Sequence, residues 1–303
     1  MKRKSHPPTI LSISSVHQLL KLKKPSNPLV SVIDLADANI EEKEIEQSLT
    51  DNFYSVALKK NCDGFRYGQQ YYDFNEGIMS FVAPQQVVHI EAGFTKAEGL
   101  MLIVHPDFFQ HYPLAAKIRS FGYFSYAAHE ALHLSEREEQ QVMDIMNSIR
   151  SEIATPIDSF TQDLIVSQID VLLTYCDRFY HRQFITRKMA SNDLLIKFED
   201  HLNSYFNGEK LTEKGLPTVP YLASQLNVSP NYLTDMLRAL TGQSTQQHIQ
   251  NKIIELAKEM LSTTDLSVSE IAYSLGFDYP QSFQRLFKNY TKTSPLEYRN
   301  SFN

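Results

Sequence analysis

Apolar residues recur at helical spacing in two segments near the C-terminal end of the chain. The i, i+3, i+4, i+7 spacing typical of one helix face occurs first at Val219, Leu222, Ala223 and Leu226, and again at Val268, Ile271, Ala272 and Leu275. A second helix follows each of these, with apolar residues at Leu233, Met236, Leu237 and Leu240, and at Phe283, Leu286, Phe287 and Tyr290. The pattern predicts two pairs of helices whose apolar faces lie in a core.

The residues between the helices of each pair predict a tight turn. Asn227 and Gly276 follow the first helices, and these residue types tolerate the left-handed conformation that reverses a chain. Ser229-Pro230 then has the composition of an N-cap and a first helical residue. Tyr279-Pro280 is the corresponding pair, but Tyr is a poor cap, so Asp278 is an alternative. Two helix-turn-helix units are therefore predicted.

A longer helix is predicted between the two units, from Thr245 to Ser262. Its apolar face consists of Ile249, Ile253, Leu256, Ala257, Met260 and Leu261. Eighteen residues give a rod of about 27 Å. Recognition helices at 230–240 and 280–290, held at its two ends, would enter successive major grooves about 34 Å apart.

These motifs resemble the AraC/XylS family of bacterial transcription regulators. The resemblance covers about residues 193–298 and lies in LASQLNVSPNYLTDMLRALTGQS, IIELAKEML and IAYSLGFDYPQSFQRLFKNYTKTSPLEYR. It implies an α+β protein: an N-terminal cupin-like β-barrel with a helical pair, then an all-α domain of two helix-turn-helix units joined by a linker helix. Two departures are Lys252, where the family usually has Arg, and Lys292, where Gly usually ends the last recognition helix.

Polar residues outside the apolar stripes are the candidate DNA contacts. They are Asn231, Thr234, Asp235 and Arg238 on the first recognition helix, and Gln281, Ser282, Gln284, Arg285 and Lys288 on the second. Gln pairs with adenine and Arg with guanine, or either binds phosphate, and Lys288 is expected to bind phosphate. For Asp235 two interpretations stay open: it accepts a hydrogen bond from cytosine N4, or it pairs with Arg238.

Short segments with period-two patterning fill residues 29–104 and predict a small β-barrel or sandwich. The resemblance implies that it senses a small-molecule effector. Five residues are candidates for lining the pocket: Phe65, Tyr67, Tyr72, Phe81 and His89. The alternative is that these are core residues. A cupin-type metal-dependent enzyme is the other functional hypothesis, with His89, Glu91, His105 and His111 as scattered ligand types, but the closely spaced metal-binding motif of such enzymes is missing.

Two helices are predicted after the strands, at about 135–154 and 158–184. In the family such a pair packs on the barrel and often mediates dimerisation, and the alternative is packing within one chain. The predicted organisation is a sensor or dimerisation domain over 1–184, a linker over 185–192 and a DNA-binding domain over 193–303.

Composition narrows the class of protein. The net charge is −6, and residues 191–303 contain 10 Lys and Arg against 12 Asp and Glu, a net charge of −2. A DNA-binding protein would therefore need its positive charge on one face.

Two cysteines and the absence of a long apolar run predict a cytoplasmic protein outside the membrane. We expect a non-enzymatic regulator without cofactor or metal, with double-stranded DNA as partner, an effector or homodimer as its control, and RNA polymerase as a further partner of an activator.

Overall fold

The computed structural model describes residues 9–10, 12–39, 48–60, 77–89, 98–186, 188–208, 211 and 214–301. The chain divides into two compact units, Met1–Gln183 and Phe184–Asn303. The first contains the strands and the second is helical in the described ranges. The protein is thus an α+β fold.

Eight strands are present in the described part of the N-terminal unit. They are β1 (Thr9–Ile10), β2 (Val30–Asp34), β3 (Ser48–Asp51), β4 (Tyr54–Lys60), β5 (Ile78–Val82), β6 (Val87–His89), β7 (Glu98–Val104) and β8 (Leu132–His133). Five of them form an antiparallel sheet in the order β2-β7-β4-β5-β8, and the other three form a sheet in the order β1-β3-β6. Because β2 and β8 each pair with one neighbour, hydrogen bonds between described residues do not close the larger sheet into a barrel.

Eleven α-helices have bounds within the described residues. The N-terminal unit contains α1 (Ile13–Leu19), α2 (Leu114–Lys117) and α3 (Glu136–Ala154), and α4 (Thr161–Thr186) begins there. The C-terminal unit contains α5 (Lys188–Phe206), α6 (Val219–Gln225), α7 (Pro230–Thr241), α8 (Thr245–Thr263), α9 (Val268–Ser274), α10 (Pro280–Thr291) and α11 (Pro295–Asn300). Across the described ranges even the 26-residue α4 lacks the continuous apolar sequence that would carry it through a membrane.

The central strands β4 and β7 owe their position to apolar side chains on both faces. Val56 and Leu58 on β4 and Leu102 on β7 lie on one face, and Ala57 and Ile103 lie on the other; all five are at most 4% exposed. Helix α1 covers part of this sheet, since Ile13 and its neighbours on one helix face share a buried cluster with strand residues. Burial of such side chains contributes roughly 1.5–3 kcal/mol each. The sheet is therefore the stable body of the N-terminal unit.

One face of helix α4 is hydrogen-bonded to α3, to strand β8 and to the segment before β8. Arg182 donates to Glu138 on α3 at 2.7 Å, and Gln183 accepts from the backbone N–H of His133 on β8 at 2.8 Å. The Tyr123 hydroxyl donates to the carbonyl of Leu173 at 2.9 Å. This face is the packing surface within one chain that the sequence offered as an alternative to dimerisation.

Residues 185–192, predicted to be a linker, contain the end of α4 and the beginning of α5. Helix α4 continues to Thr186 and α5 begins at Lys188. Most of the predicted linker is therefore helical. The two helices predicted at 135–154 and 158–184 correspond to Glu136–Ala154 and Thr161–Thr186.

Candidate nucleic-acid interface

Helices α6 and α7 form the first helix pair, and local sequence determines how the chain turns between them. Asn227 has a φ of 55°, and the N–H of Val228 donates back to the carbonyl of Ala223 at 3.1 Å, which closes the end of α6. The Ser229 hydroxyl then accepts from the N–H of Tyr232 at 3.3 Å and caps α7. Both halves of the predicted turn are present.

Helices α9 and α10 form the second helix pair by a similar route. Gly276 has a φ of 83°, and Phe277 N–H donates to the carbonyl of Ala272 at 3.0 Å. A Cβ on Gly276 would lie 2.9 Å from the Leu211 side chain and 3.1 Å from the Gly215 backbone, so both conformation and space require glycine. Tyr279 precedes α10 without a side-chain cap. Asp278 does not provide one in its place.

Helix α8 lies against both pairs and spans 19 residues, about 28 Å. Its buried residues include Ile249, Ile253 and Ala257, as the apolar pattern predicts. Thr245 at its start lies 3.1 Å from the Thr234 hydroxyl of α7, and Gln250 accepts from the Tyr290 hydroxyl of α10 at 2.8 Å. The two pairs are therefore joined through one helix.

Capping boxes close the N-terminal ends of α9 and α11. The Ser267 side chain and backbone bond to Glu270, and these hydrogen bonds hold the pKa of that carboxyl below its ordinary value. Hydrogen bonds from the backbone and side chain of Ser294 do the same for the pKa of Glu297 on α11. Arg299 on α11 donates to the carbonyls of Leu261 and Leu266, which ties α11 to the end of α8.

The exposed face of α10 contains most of its candidate DNA contacts. Gln281, Gln284, Arg285 and Lys288 are exposed, whereas Ser282 is half-buried. Phe283 and Phe287 on the opposite face are fully buried. The predicted apolar stripe is wrong at Tyr290, which is 38% exposed. The helix thus has two sharply different faces, one in the core and one polar.

Helix α7 has a different surface. Asn231 and Arg238 are exposed, but Thr234 and Asp235 are half-buried. The Thr234 hydroxyl donates to the carbonyl of Pro230 at 2.9 Å besides its contact with Thr245. Arg238 lies 3.4 Å from the Asp235 carboxylate. The geometry includes the helix-internal ion pair that was one of the two interpretations of Asp235.

The electrostatics of these faces follow from those contacts. The α7 set contains one carboxylate and one guanidinium, so its formal charge is zero. The α10 set contains Arg285 and Lys288 and no acid. Positive charge is therefore concentrated on α10, although the whole segment 191–303 is acidic.

The apolar pattern missed two exposed tyrosines beside α10. Tyr279 is 71% exposed and Tyr273 is 58% exposed. Together with Lys214 and Asp278 they line a cleft of about 620 Å³ that reaches Ser282. Their phenol groups are additional candidates for phosphate contacts. The only signal in the sequence was the unusual cap position of Tyr279.

Two of the candidate effector residues, Phe81 and His89, lie on strands of different sheets in the N-terminal unit. Phe81 is 9% exposed and packs against Tyr123 with ring centroids 4.5 Å apart, within a larger aromatic cluster. His89 ends β6, opposite Ser48 in the smaller sheet. The remaining three candidates, Phe65, Tyr67 and Tyr72, lie outside the described residues. Phe81 is placed as the core alternative predicts.

The residues of the metal-enzyme hypothesis are not gathered in the described ranges. There, no three His, Cys, Asp or Glu side chains lie close enough to hold a metal ion. The His105 ring accepts from the N–H of Asp107 at 3.3 Å and caps a short helical turn. Glu91 lies outside the described residues.

Comparison with known proteins identifies the class of this helical region. Residues 222–301 match the family described as "Helix-turn-helix domain". This part of the chain belongs to the AraC type of that class, and the curated relatives that it matches are transcriptional regulators.

Individual relatives are similar over limited lengths. The uncharacterized HTH-type transcriptional regulator YijO of Escherichia coli is 26% identical over 170 residues, which cover 56% of this chain and 56% of that protein. The uncharacterized transcriptional regulatory protein YesN of Bacillus subtilis is 40% identical over 76 residues, covering 24% and 21%. The chain therefore spans about half or less of the length of these curated relatives. Among solved structures, the C-terminal domain of the response regulator yesN from Fusobacterium nucleatum is 28% identical, with a TM-score of 0.30, covering 34% of this chain and 93% of that one.

Proposed function

We propose that the protein is a sequence-specific DNA-binding transcription regulator. In this proposal α6–α7 and α9–α10 are two helix-turn-helix units, and α7 and α10 are the recognition helices. The main support is the division of α10 into a buried face, with Phe283 and Phe287, and an exposed face with Gln281, Gln284 and Arg285. Such a face presents the two residue types that read adenine and guanine bidentately.

The spacing of the two units supports reading of successive major grooves. Helix α8 is about 28 Å long and contacts both units, and major grooves on one side of a duplex repeat every 34 Å or so. We propose that Arg285 and the two glutamines contact base edges, while Lys288 contacts phosphate. Asn231, Thr234, Asp235 and Arg238 are the proposed contacts of the first unit, and Ser282 joins those of the second.

The N-terminal unit is proposed to control DNA binding. The proposed contacts of a small-molecule effector in a cupin-like barrel are Phe65, Tyr67, Tyr72 and His89, and Phe81 joins them only if the effector enters the aromatic cluster around its ring. We give the alternative of a metal-dependent enzyme no further weight, because the matched curated relatives are transcriptional regulators. If the protein activates transcription, RNA polymerase is a further partner.

Self-association through the outer faces of α3 and α4 is the second proposed form of control. Leu164 and Val171 on α4 are each 48% exposed, and Phe160 just before it is 66% exposed. An open groove of about 820 Å³ runs between the two helices; Ile145, Val171 and Tyr175 line it together with polar and charged residues of α3. Exposed apolar surface of this kind is typical of an interface, and a second copy of the chain is the proposed occupant.

Binding to duplexes selected from genomic fragments tests the proposed function. Fluorescence anisotropy of the full chain should show that Arg285→Ala weakens binding to a selected site by about 1–3 kcal/mol, with a smaller loss on random duplex. The control Lys197→Ala removes an exposed charge from α5 and should leave specificity unchanged. Equal losses on selected and random duplexes would reassign Arg285 to phosphate binding. A native chain that prefers no sequence would refute the proposal.

A further inference from the structure

A groove of about 520 Å³ lies in the N-terminal unit between the loop after α1, the edge strand β2 and the end of α3. Its volume falls within the range of about 300–1,000 Å³ found for small-molecule sites. Four basic side chains line it, namely Lys21, Lys23, Lys24 and Arg150. This concentration of positive charge stands out in a chain whose net charge is −6.

The buried side chain of His17 fixes the lysine-containing loop. Its Nδ1 lies 2.6 Å from the carbonyl oxygen of Lys23, and its Nε2 lies 2.9 Å from the Ser31 hydroxyl on β2. Because a carbonyl only accepts hydrogen bonds, Nδ1 donates to the Lys23 carbonyl, and Nε2 forms the second bond with the Ser31 hydroxyl. The loop is therefore held against the edge strand through one side chain.

Backbone strain at Lys21 also helps to direct the loop. Its φ is 55°, a left-handed conformation that is costly for a residue with a side chain. The N–H of Leu22 donates to the carbonyl of His17 at 2.8 Å and closes the turn. The strained position turns the chain so that Lys21, Lys23 and Lys24 all line one groove. Strain of this kind is concentrated at functional sites.

The acidic residues of the groove neutralise only part of this charge. Asp34 is engaged by Arg150 at 3.3 Å and by the N–H of Ala36 at 3.2 Å. Asp37 is exposed at the rim. Lys23 and Lys24 are exposed and form no ion pair with any residue in the described ranges. They are therefore available to an external anion.

Apolar side chains complete the walls of the groove. Leu22 and Pro25 belong to the loop, Val32 to β2 and Ile153 to α3. Sites that combine apolar walls with a few convergent polar groups are typical of organic ligands. The lining therefore fits a molecule with both an anionic group and an apolar part better than an inorganic ion.

We propose that this groove binds a small organic anion, whose carboxylate or phosphate is held by Lys23 and Lys24 and whose apolar part lies against Val32 and Ile153. The site is separate from the proposed effector residues in the sheets, and its binding requires no DNA. A chain that binds the anion but no specific DNA would refute the proposed function and leave this inference standing. A chain that binds specific DNA but not the anion would refute this inference and leave the proposed function standing.

Calorimetric titration of the full chain tests the groove with phenyl phosphate and phenylacetate at constant ionic strength. Two control ligands separate the parts of the molecule: inorganic phosphate has only the anionic group, and benzyl alcohol has only the apolar part. We expect at least one of the two organic anions to bind saturably in a 1:1 ratio, and more tightly than either control ligand. The double variant Lys23→Gln/Lys24→Gln should bind about tenfold more weakly, since both charge-assisted contacts are lost.

The matched control is Arg119→Gln/Lys197→Gln, which removes two exposed positive charges outside the groove. It should bind the organic anions like the native chain. Equal weakening in both double variants would mean that binding follows net charge alone and would overturn the inference. So would the absence of saturable binding by the native chain up to about 10 mM, the weak limit expected of a ligand of about ten heavy atoms.

Discussion

Asn227 and Gly276 occupy the same place in the two turns, with φ values of 55° and 83°, and they lie 49 residues apart. The N-cap residues that follow, Ser229 and Tyr279, are 50 residues apart. The second turn is therefore one residue longer, and the additional residue is Asp278. The missing cap of α10 has a separate cause, because Tyr279 takes the position that Ser229 has before α7 and tyrosine is a poor N-cap.

Adding a side-chain cap to α10 should stabilise the helix pair α9–α10. We expect Tyr279→Ser to raise the free energy of unfolding by about 1 kcal/mol, because a serine hydroxyl can accept from an N–H of the first turn. The converse substitution, Ser229→Ala, should cost about 1 kcal/mol at α7. Amide hydrogen exchange in α10 and α7 would measure the two effects separately. Unchanged protection of α10 in Tyr279→Ser would show that the longer turn does not permit capping.

Lys292 and Gly242 follow the ends of α10 and α7 in the same left-handed conformation, with φ values of 64° and 74°. This conformation is sterically unfavourable for lysine, so Lys292→Gly should raise the free energy of unfolding of the C-terminal unit by about 1 kcal/mol. Gly242→Ala should destabilise it by a similar amount, and since no atom lies within 4 Å of the added Cβ, that loss is backbone strain alone. Chemical unfolding monitored by exchange of α8 amides checks both. A destabilised Lys292→Gly variant would contradict the strain argument and point instead to the bond from Lys292 Nζ to the Asn289 carbonyl.

The sequence predicted well those features that depend on neighbouring residues. The turns at Asn227 and Gly276, the cap at Ser229 and the length of α8 follow from local conformational preference, and the structure has them. It could not predict that the Thr234 hydroxyl contacts Thr245, because that contact depends on how α7 packs against α8. Tyr290 was misplaced for a related reason: an apolar stripe is wider than the surface that its neighbour can cover.

Packing between distant segments also limited the prediction for the N-terminal unit. An aromatic residue on a strand, such as Phe81, suits a pocket and a core equally well in the sequence. Its contact with Tyr123, 42 positions further along the chain, places it in a cluster of buried rings. The groove beside His17 gave no sequence signal, because its walls come from α1, β2 and α3.

Removing the carboxylate of Asp235 should distinguish its two interpretations. Arg238 is engaged by Asp235 at 3.4 Å, so Asp235→Asn should release the guanidinium and strengthen binding to any duplex. The salt dependence should become steeper by about 0.9, the contribution of one more phosphate contact. Anisotropy on selected and random duplexes at several salt concentrations measures this. Asp265→Asn, an equal charge change at an exposed loop position, is the control. A loss confined to sites containing one particular cytosine would support base reading instead.

Self-association should depend on the exposed apolar residues of α4. A charge at Leu164 or Val171 would be desolvated in an interface, so Leu164→Glu and Val171→Glu should each shift the native chain towards monomer. Sedimentation velocity over a concentration series measures the dissociation constant. Ala116→Glu, at an exposed position on α2, should behave like the native chain. If the native chain is monomeric at all concentrations, or if both α4 variants associate normally, the interface lies elsewhere.

The stability of the helical unit should fall on mild acidification because of His248. Burial lowers the pKa of this imidazole from its ordinary value of 6.5, and the nearby Glu199 carboxylate opposes the shift. Since the folded pKa is the lower one, the unfolded chain takes up the proton first. The stabilising contribution is therefore complete above pH 6.5 and is lost as the pH falls through the folded pKa. Exchange of α8 amides between pH 8 and pH 5, corrected for intrinsic rates, measures the change. The variant His248→Gln should lose less stability over this pH window than the native chain. The control His201→Gln, at an exposed position on α5, should keep the pH dependence of the native chain. An identical pH dependence in His248→Gln and the native chain would assign the effect to other groups.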